Sequence, residues 1–490
     1  MDQLKVLFAS PEALPFAKTG GLADVSGTLP QVLAEAGHTV VVAMPKYGAI
    51  PENLLAGAVV AAEWELDWPL GPEPVRLLRL TPVGSLVTYL FVESRRYFDR
   101  PSLYRDPATG KDYIDNDERY ILFCRALLEG LRRIGWAPDI IHANDWQTAL
   151  IPTFLATFYK TEPFFAYTRS IITIHNMPFQ GKFPAPTFEK LGLPKALFYP
   201  TGPFEFWGEV NFLKSAIWYA DVITTVSERY AAEIQSSPVD GAGLDGVLKT
   251  RTDSVFGILN GVDYSVWSPE KDHQIPYRYS ITNLSGKRNN RVELINRLGL
   301  PLRADVPLIG MITRLSEQKG FDLIEEAADD LFAMDLQMAI LGTGDEKYQK
   351  LLPVLERKYP DKLKVVARHD EEMAHWIEAG ADVFLMPSRY EPCGLNQMYS
   401  LRYGTVPIVR NTGGLADSVA DIDGQGKTGT GFVFVEYESE QLLAAIQRML
   451  ATFPRKRLWR EIMKRGMRQD FSWTRSAQKY IELYKKITNS

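Results

Sequence analysis

The apolar run Ala381-Asp-Val-Phe-Leu-Met-Pro387 is followed at once by Ser388-Arg-Tyr-Glu-Pro-Cys-Gly-Leu395. The first stretch is typical of a buried strand, and the second of a turn that opens a helix. In an open α/β sheet, ligands bind beyond the carboxyl ends of the strands, where helix N-termini present N–H groups to anions. We therefore expect Glu391 and Cys393 to lie at a ligand site. The alternative is that Glu391 is an ordinary acid stabilised by a helix dipole.

A glycine-rich turn follows the first apolar run of the chain, residues 4–9. It reads Lys18-Thr-Gly-Gly-Leu-Ala-Asp24. Paired glycines let backbone N–H groups approach a ligand closely, and lysine adds a compact positive charge. The third glycine of the dinucleotide fingerprint is missing, which disfavours a nicotinamide dehydrogenase. The alternative interpretation is a flexible turn that carries a solvated lysine.

Two further turns of this kind follow strand-like runs in the second half. Thr313-Arg-Leu-Ser-Glu-Gln-Lys-Gly320 contains Arg314 and Lys319, which together could neutralise a diphosphate unless they are simply surface cations. Asn411-Thr-Gly-Gly-Leu-Ala-Asp417 repeats six residues of the N-terminal turn. We therefore predict one glycine-rich anion cradle in each half of the chain, formed by the N–H groups of Gly20, Gly21, Gly413 and Gly414.

Bulk composition excludes several classes of protein. A chain of 490 residues favours two domains, and 46% hydrophobic with 23% charged residues is typical of a soluble enzyme. A net charge of −5 gives no general attraction for nucleic acid. The two cysteines are far apart and the six histidines do not cluster, so no metal site is expected. The chain shows no secretory signal and no membrane span, and we expect a cytoplasmic protein.

Short β-branched runs alternate with helical patterns, which predicts α/β domains built on parallel sheets with helices on both faces. The predicted strands are residues 4–9, 39–43, 139–142, 171–174, 222–226, 307–312, 337–341, 363–366, 382–386 and 406–409. Residues 51–111 are more irregular and are predicted to form an insertion. Residues 474–484 have the spacing of a helix.

The ordered motifs of the chain resemble those of the bacterial glycogen synthases and the closely similar starch synthases, which are retaining GT-B glycosyltransferases. The resemblance covers essentially the whole chain. It rests on Lys18-Thr-Gly-Gly-Leu22, His142-Ala-Asn-Asp-Trp-Gln-Thr148, Ile174-His-Asn176, Gly241-Ala-Gly-Leu-Asp245, Asn260-Gly-Val-Asp263, Arg314 with Lys319, and Glu391-Pro-Cys-Gly-Leu395.

The resemblance implies two Rossmann-like, doubly wound parallel-sheet domains that face a central cleft. Residues 1–257 would form the acceptor-side domain and residues 258–470 the nucleotide-sugar domain. Residues 471–490 would form a terminal helix that returns to the first domain.

The implied reaction moves glucose from ADP-glucose to the non-reducing end of an α-1,4-glucan, such as glycogen or a maltooligosaccharide, with retention of configuration and release of ADP. No cofactor, metal, nucleic acid or membrane is implied, and no protein partner is indicated. The nearest alternative is a related glucosyltransferase that uses UDP-glucose or a small acceptor. An inactive glucan-binding protein of this fold and a pyridoxal-phosphate-dependent phosphorylase are alternatives from other classes.

The resemblance also assigns candidate site residues. The catalytic candidates are Lys18, Asp145, His175, Arg314, Lys319 and Glu391. The donor-binding candidates are Lys18, Gly20, Gly21, Asn260, Arg314, Lys319, His369, Glu391, Cys393, Gly394, Leu395, Thr412, Gly413 and Gly414. The acceptor-binding candidates are Tyr97, Phe98, Tyr104 and Asp145.

Two mechanisms remain open at this stage. In the one that the family favours, the leaving phosphate takes the proton of the acceptor. In the other, Asp145 or Glu391 acts as a nucleophile, as in glycoside hydrolases. The chain also departs from the family pattern at His369, where an aromatic residue is usual, so recognition of the base is less secure than recognition of the phosphates.

Overall fold

The computed structural model describes residues 3–489, which form two compact units. Unit 1 contains residues 3–226, 231–258 and 473–489, and unit 2 contains residues 227–230 and 259–472. The sequence-based boundaries lay after residues 257 and 470, so they assigned Ser227–Tyr230 to the first domain. In the structure these four residues belong to unit 2, because Ser227 Oγ donates a hydrogen bond to Pro392 O (2.6 Å) and Arg229 N to Asp417 Oδ2 (2.9 Å).

The strands are β1 (Lys5–Ala9), β2 (Thr39–Pro45), β3 (Val59–Leu66), β4 (Glu73–Leu80), β5 (Thr88–Glu93), β6 (Ile140–Asn144), β7 (Arg169–Ile174), β8 (Lys182–Pro184), β9 (Glu205–Phe206), β10 (Glu209–Asn211), β11 (Val222–Thr225), β12 (Val255–Gly257), β13 (Leu308–Ile312), β14 (Gln337–Leu341), β15 (Leu363–Val366), β16 (Val383–Met386), β17 (Val406–Arg410) and β18 (Phe432–Phe434).

The helices are α1 (Gly21–Glu35), α2 (Arg95–Phe98), α3 (Asn116–Arg133), α4 (Leu150–Ala156), α5 (Thr187–Lys190), α6 (Phe212–Tyr219), α7 (Glu228–Glu233), α8 (Asp245–Lys249), α9 (Ser285–Leu298), α10 (Phe321–Glu326), α11 (Ala328–Ala333), α12 (Glu346–Lys358), α13 (Glu371–Gly380), α14 (Asn396–Tyr403), α15 (Gly413–Ser418), α16 (Ser439–Thr452), α17 (Lys456–Met467) and α18 (Trp473–Thr488).

The main sheet of unit 1, over the described residues, has nine strands in the order β12-β11-β7-β6-β1-β2-β5-β4-β3. The strands from β12 to β5 pair in parallel, and the β3–β4 hairpin adds an antiparallel edge. β8, β10 and β9 form a small antiparallel sheet. The strand order reverses between β1 and β6, which makes the carboxyl end of these two strands the expected place for a ligand.

The sheet of unit 2 is parallel, with the order β15-β14-β13-β16-β17-β18 among the described residues. Numbered within the unit, this is the 3-2-1-4-5-6 order of a doubly wound domain, and its reversal lies between β13 and β16. Ile309 and Met311 contribute to one buried cluster while Leu308 contributes to another. Alternate side chains of β13 are therefore buried on opposite faces, which explains its continuous apolar sequence.

The predicted C-terminal helix is present as α18, and it belongs to unit 1. The hydroxyl of Tyr484 lies 2.7 Å from Nδ1 of His142 on β6, and Arg169 Nε donates to Ile487 O at 3.2 Å. His142 is 1% exposed, and its other ring nitrogen lies 2.5 Å from Thr173 Oγ1. This histidine therefore anchors α18 to the sheet.

The prediction for residues 51–111 was wrong in its central part. The structure forms β3, β4 and β5 there, and β5 joins the main sheet beside β2. Residues Tyr89-Leu-Phe-Val92 are buried, as expected for a strand inside the sheet. The short strands β12 and β18 were also not predicted. No helix within residues 3–489 has both the length and the apolar character needed to cross a membrane.

Candidate active site

The candidate residues of unit 1 follow the carboxyl ends of β1, β6 and β7. Lys18 is exposed, and its Nζ lies 2.8 Å from Asp24 Oδ1. Glu12, only 4% exposed, receives hydrogen bonds from Thr19 N (2.5 Å) and Gly20 N (3.3 Å). The prediction that the Gly20 N–H group is presented to a ligand is therefore wrong for this structure, because a carboxylate of the protein already occupies it.

Space around the same turn remains open. A Cβ placed on Gly20 meets no atom within 4 Å, and Gly21 is exposed at the first position of the 15-residue helix α1. An anion can therefore approach the start of α1 closely, where the helix dipole favours negative charge.

Asp145 follows β6 in an unusual backbone conformation. Its φ is +57°, in the left-handed region that few residues other than glycine adopt. Its Oδ1 accepts a hydrogen bond from His175 N at 2.8 Å. Burial raises the pKa of the Asp145 carboxyl to about 7, and the charge of Glu12 adds to this shift while the His175 N–H opposes it. Strain of this kind is concentrated at functional sites, so Asp145 is a strong candidate.

The His175 ring is held by the neighbouring strand. Its Nε2 lies 2.9 Å from Asn144 Oδ1, so this nitrogen carries the proton and donates it to the amide oxygen. Burial lowers the pKa of His175 to about 3. The ring is therefore uncharged at neutral pH and can act by hydrogen bonding rather than as a cation.

Two of the predicted acceptor residues are part of the hydrophobic core. Tyr97 is 1% exposed and Phe98 is fully buried. The Tyr97 hydroxyl donates to Glu118 Oε2 at 3.1 Å, and the Phe98 ring contacts Tyr47 edge to face. Neither ring has an open face on which a sugar could stack, so this prediction is wrong for both. Tyr104 is partly buried, and its hydroxyl donates to Glu12 Oε1 at 3.2 Å.

In unit 2, Lys319 and Glu391 form an ion pair at the switch point between β13 and β16. Lys319 Nζ lies 2.6 Å from Glu391 Oε2, and Ser388 Oγ donates to the same oxygen at 3.0 Å. Glu391 is 6% exposed. Its other oxygen, Oε1, has no hydrogen-bond partner among residues 3–489. A ligand hydroxyl can therefore donate to Oε1 without displacing a protein contact.

Gly320 allows this ion pair to form. Its φ is +81°, and an added Cβ would lie 2.2 Å from Pro387 O. The turn that carries Lys319 therefore lies directly against the end of β16, and Arg389 N donates to Gln318 O at 2.9 Å to hold it there.

Arg314 follows β13 and is exposed. Within the part of the chain that the structure describes, its guanidinium takes part in no ion pair. Its planar set of N–H donors is therefore open to a phosphate or another anion.

The second glycine-rich turn is built differently from the first. The N–H of Gly414 donates to Glu391 O (3.1 Å) and Pro392 O (3.2 Å), so the predicted anion cradle is wrong at Gly414 as well. A Cβ on Gly413 would lie 2.0 Å from Glu391 O, and one on Gly414 would lie 2.0 Å from Cys393 O. These glycines are needed because backbone packs on backbone, and they fix the segment that carries Glu391.

Cys393 is 7% exposed, and burial raises the pKa of its thiol to about 12. The thiol is therefore protonated at neutral pH and is a poor nucleophile. The N–H of Asn260 donates to it, while Asn260 Oδ1 is buried with no partner in the described part of the chain. Gly394 has a φ of +67°, and Leu395 follows it directly before α14.

The remaining donor candidates lie at the same edge of the sheet. Thr412 directly precedes α15 and is 4% exposed. His369 is exposed beyond the carboxyl end of β15. Because the strands are parallel, this is also the edge from which Arg314 and Glu391 project. Among residues 3–489, no group of three or more His, Cys, Asp or Glu side chains is arranged to hold a metal ion.

Three residues of the candidate active site were not predicted from the sequence, namely Glu12, Asn144 and Ser388. Glu12 follows β1 by only a few residues, so its position beyond a strand end was a usable signal. Ser388 lies within the stretch that identified Glu391. Asn144 gave no distinct signal, because the amide acts through the His175 ring, which only the fold brings next to it.

Known protein families and individual proteins match this chain over almost its whole length. Residues 5–250 match the family described as starch synthase catalytic domain, and residues 295–465 match glycosyl transferases group 1. The glycogen synthase of Koribacter versatilis (strain Ellin345) is 46% identical over 485 residues, which cover 99% of this chain and 98% of that protein. The glycogen synthase of Thermotoga maritima is 43% identical over 488 residues, with 99% of each chain covered.

A solved structure shows the same likeness. The catalytic domain of starch synthase IV from Arabidopsis thaliana, determined with ADP and acarbose bound, superposes with a TM-score of 0.90. The two chains are 32% identical, and each is covered completely. The likeness therefore extends through both units.

Proposed function

This chain belongs to the family of glycogen synthases and starch synthases, and from that premise we propose that it transfers glucose from ADP-glucose to the non-reducing end of an α-1,4-glucan. It is a glucosyltransferase, and the proposed reaction retains the anomeric configuration and releases ADP. The ADP and acarbose bound by the Arabidopsis starch synthase support a nucleotide and a glucan-like ligand for this chain too.

The observation that carries the proposal is the Lys319–Glu391 pair at the switch point of unit 2. An ammonium group has three donors, and Glu391 takes one of them, so Lys319 keeps the others for phosphate oxygens. Glu391 keeps Oε1 for the hydroxyls of the transferred sugar. One ion pair thus places a hydrogen-bond donor for a phosphate oxygen beside a hydrogen-bond acceptor for a sugar hydroxyl, as the binding of a nucleotide sugar requires.

The exposed guanidinium of Arg314 completes the proposed diphosphate site. Transfer of the glucosyl group leaves negative charge on the departing phosphate, and fixed cations stabilise that charge best where water is scarce. Asn260, His369, Cys393, Gly394, Leu395, Thr412, Gly413 and Gly414 would shape the remaining donor site. Of these, Gly413 and Gly414 let the Glu391 segment pack closely, and Gly414 does so rather than acting as an N–H donor to the ligand.

Lys18, Asp145 and His175 are proposed to act from unit 1. Neutral His175 donates its Nε2 proton to Asn144, so its unprotonated Nδ1 would accept a hydrogen bond from a sugar hydroxyl. Lys18 would contribute charge near the phosphates. A pKa of about 7 leaves Asp145 partly protonated at neutral pH, which suits a hydrogen-bonding group better than an obligatory nucleophile. We therefore favour the mechanism in which the leaving phosphate accepts the proton of the incoming hydroxyl.

The proposal includes no metal, since Arg314 and Lys319 supply the positive charge that a magnesium ion would otherwise bring. It also places the enzyme in the cytoplasm. Both cysteines, Cys124 and Cys393, are free thiols, which is usual in a reducing compartment.

Turnover of ADP-glucose and UDP-glucose, measured side by side with glycogen and with glucose as acceptors, tests the proposed function. We expect ADP-glucose with glycogen to give the highest kcat/KM, and the product linkage to be α-1,4 by NMR. Arg314→Ala should lower kcat about a hundredfold or more, because a fixed charge partner of the leaving phosphate is lost. A preference for UDP-glucose or for free glucose would identify the related transferase instead.

A further inference from the structure

The carboxylate of Glu12 binds the turn that carries Lys18. Thr19 donates to it twice, from its N–H at 2.5 Å and from its hydroxyl at 3.0 Å, and Gly20 N donates at 3.3 Å. A further bond comes from the hydroxyl of Tyr104, at 3.2 Å. Glu12 itself is only 4% exposed. Most of the hydrogen bonds that this buried carboxylate accepts therefore come from one exposed turn.

Both oxygens of this carboxylate are occupied. Oε2 accepts the two backbone N–H groups, and Oε1 accepts the hydroxyls of Thr19 and Tyr104. Little of the residue is open to solvent, so a substrate cannot reach it without breaking these contacts. Glu12 is thus poorly placed to touch a substrate itself, although it is close enough to raise the pKa of Asp145.

The two turn residues that donate to Glu12 lie between Lys18 and the start of α1. Thr19 directly follows Lys18, and Gly20 directly precedes the first residue of α1. Restraining them sets the point from which the long Lys18 side chain extends, and it sets the direction in which the first N–H groups of α1 point. Lys18 has a flexible four-carbon stem, so its reach depends on a fixed Cα.

We propose that Glu12 is a positioning residue, whose buried carboxylate holds the Lys18–Gly20 turn in the conformation that transfer requires. The inference rests on the proposed function and deepens it, since it names the group that organises the anion-binding turn of unit 1. Glutamine at this position has the same shape but only one accepting oxygen. Its NH2 group would face a donor of the turn, so one set of contacts is lost.

Glu73→Gln is the matched control for Glu12→Gln. Glu73 is 6% exposed and accepts a hydrogen bond from Ser94 Oγ at 2.6 Å. It lies on β4, which is separated from β1 by β2 and β5 in the sheet. Both substitutions remove one buried carboxylate from unit 1, but only one of them touches the turn.

The experiment compares both variants with the wild-type chain in three measurements. Hydrogen–deuterium exchange reports the order of Thr19 and Gly20. Limited trypsin digestion reports cleavage after the exposed Lys18. Steady-state kinetics with ADP-glucose and glycogen separates kcat from the two KM values.

We expect Glu12→Gln to speed exchange in the turn and cleavage after Lys18 by about tenfold or more, and to lower kcat by a similar factor with little change in KM for glycogen. Glu73→Gln should leave all three unchanged. Normal exchange and cleavage in Glu12→Gln would overturn the inference, and so would a loosened turn with normal kcat. Hydrogen exchange and trypsin cleavage need no substrate. If the enzyme used a sugar donor other than ADP-glucose, the proposed function would be refuted, but these two measurements would not change.

Discussion

The two glycine-rich turns share Thr-Gly-Gly-Leu-Ala-Asp, but an alanine should have different effects in each. In the turn of unit 2, the Cβ of Gly414→Ala would lie 2.0 Å from Cys393 O and 2.5 Å from Cys393 Cα. In the turn of unit 1, the Cβ of Gly20→Ala would meet nothing within 4 Å. Gly413, which occupies the position in the motif equivalent to Gly20, is packed as closely as Gly414, since its Cβ would lie 2.0 Å from Glu391 O. Alanine is therefore predicted to cost stability in the turn of unit 2 and not at Gly20.

The magnitude at Gly414 follows from its contacts. Real Cβ atoms stay at least 3.0 Å from such neighbours, so the two backbone segments must separate by about 1 Å. Overpacking of this size costs about 1–3 kcal/mol, and weakening the Gly414 N–H bond to Glu391 O adds about 1 kcal/mol. A domain of this size loses roughly 2–4 °C in Tm per kcal/mol. We therefore expect the Tm of Gly414→Ala to fall by roughly 4–16 °C.

At Gly20 the backbone already suits alanine. Its φ of −155° and ψ of −168° are extended, and its N–H bond to Glu12 does not depend on the side chain. We expect Tm to stay within about 2 °C of the wild-type value, with any change being a small gain from a stiffer unfolded chain. The methyl group would instead occupy the open space in front of α1, so ADP should bind about tenfold more weakly if the phosphates approach there.

Differential scanning calorimetry without nucleotide gives the Tm values, and isothermal titration with ADP gives the affinities. Gly424→Ala, whose Cβ also meets nothing within 4 Å, controls for a glycine lost from open space. It should leave both quantities unchanged. A Gly414→Ala protein as stable as the wild type, or a Gly20→Ala protein that is equally destabilised, would refute the reasoning.

Three further predictions concern charge. Glu391→Gln should lower kcat by about tenfold to a hundredfold, since charge-assisted hydrogen bonds to the sugar donor and to Lys319 are weakened. Near-normal turnover would instead mean that Glu391 is only an acid stabilised by a helix dipole. Excess EDTA should leave kcat unchanged, and a strict requirement for magnesium would contradict the metal-free site. Burial lowers the pKa of Lys287 to about 7, so above pH 7 this lysine holds a proton in the unfolded chain that it lacks in the folded one, and its contribution to stability should rise with pH. Lys287→Met should remove up to about 1.4 kcal/mol per pH unit of that slope between pH 7 and 10, measured by urea unfolding at several pH values.

Most of the parallel strands could be located from the sequence because burial on both faces requires a nearly continuous apolar run, although β5 and the three-residue strands β12 and β18 were missed. The predicted strand at 337–341 coincides with β14, and the one at 307–312 differs from β13 by a single residue. β3 and β4 escaped detection for the opposite reason. They form an edge hairpin whose exposed and buried residues are mixed, as in Val59–Leu66, so no apolar run marks them.

The sequence could predict those residues of the candidate site whose positions are determined by the end of a strand. A residue that follows β13 or β16 must lie at the carboxyl edge of the sheet, which is why Arg314 and Glu391 were found. Which group a backbone N–H meets depends instead on tertiary neighbours, and the two glycine-rich turns demonstrate this. Glu12 reaches the first turn from the end of the same strand, while the backbone at Glu391 covers the second turn from the end of the neighbouring strand, β16. A glycine pair in sequence therefore indicates a close approach, but only the fold determines whether a ligand, a carboxylate or another stretch of backbone makes that approach.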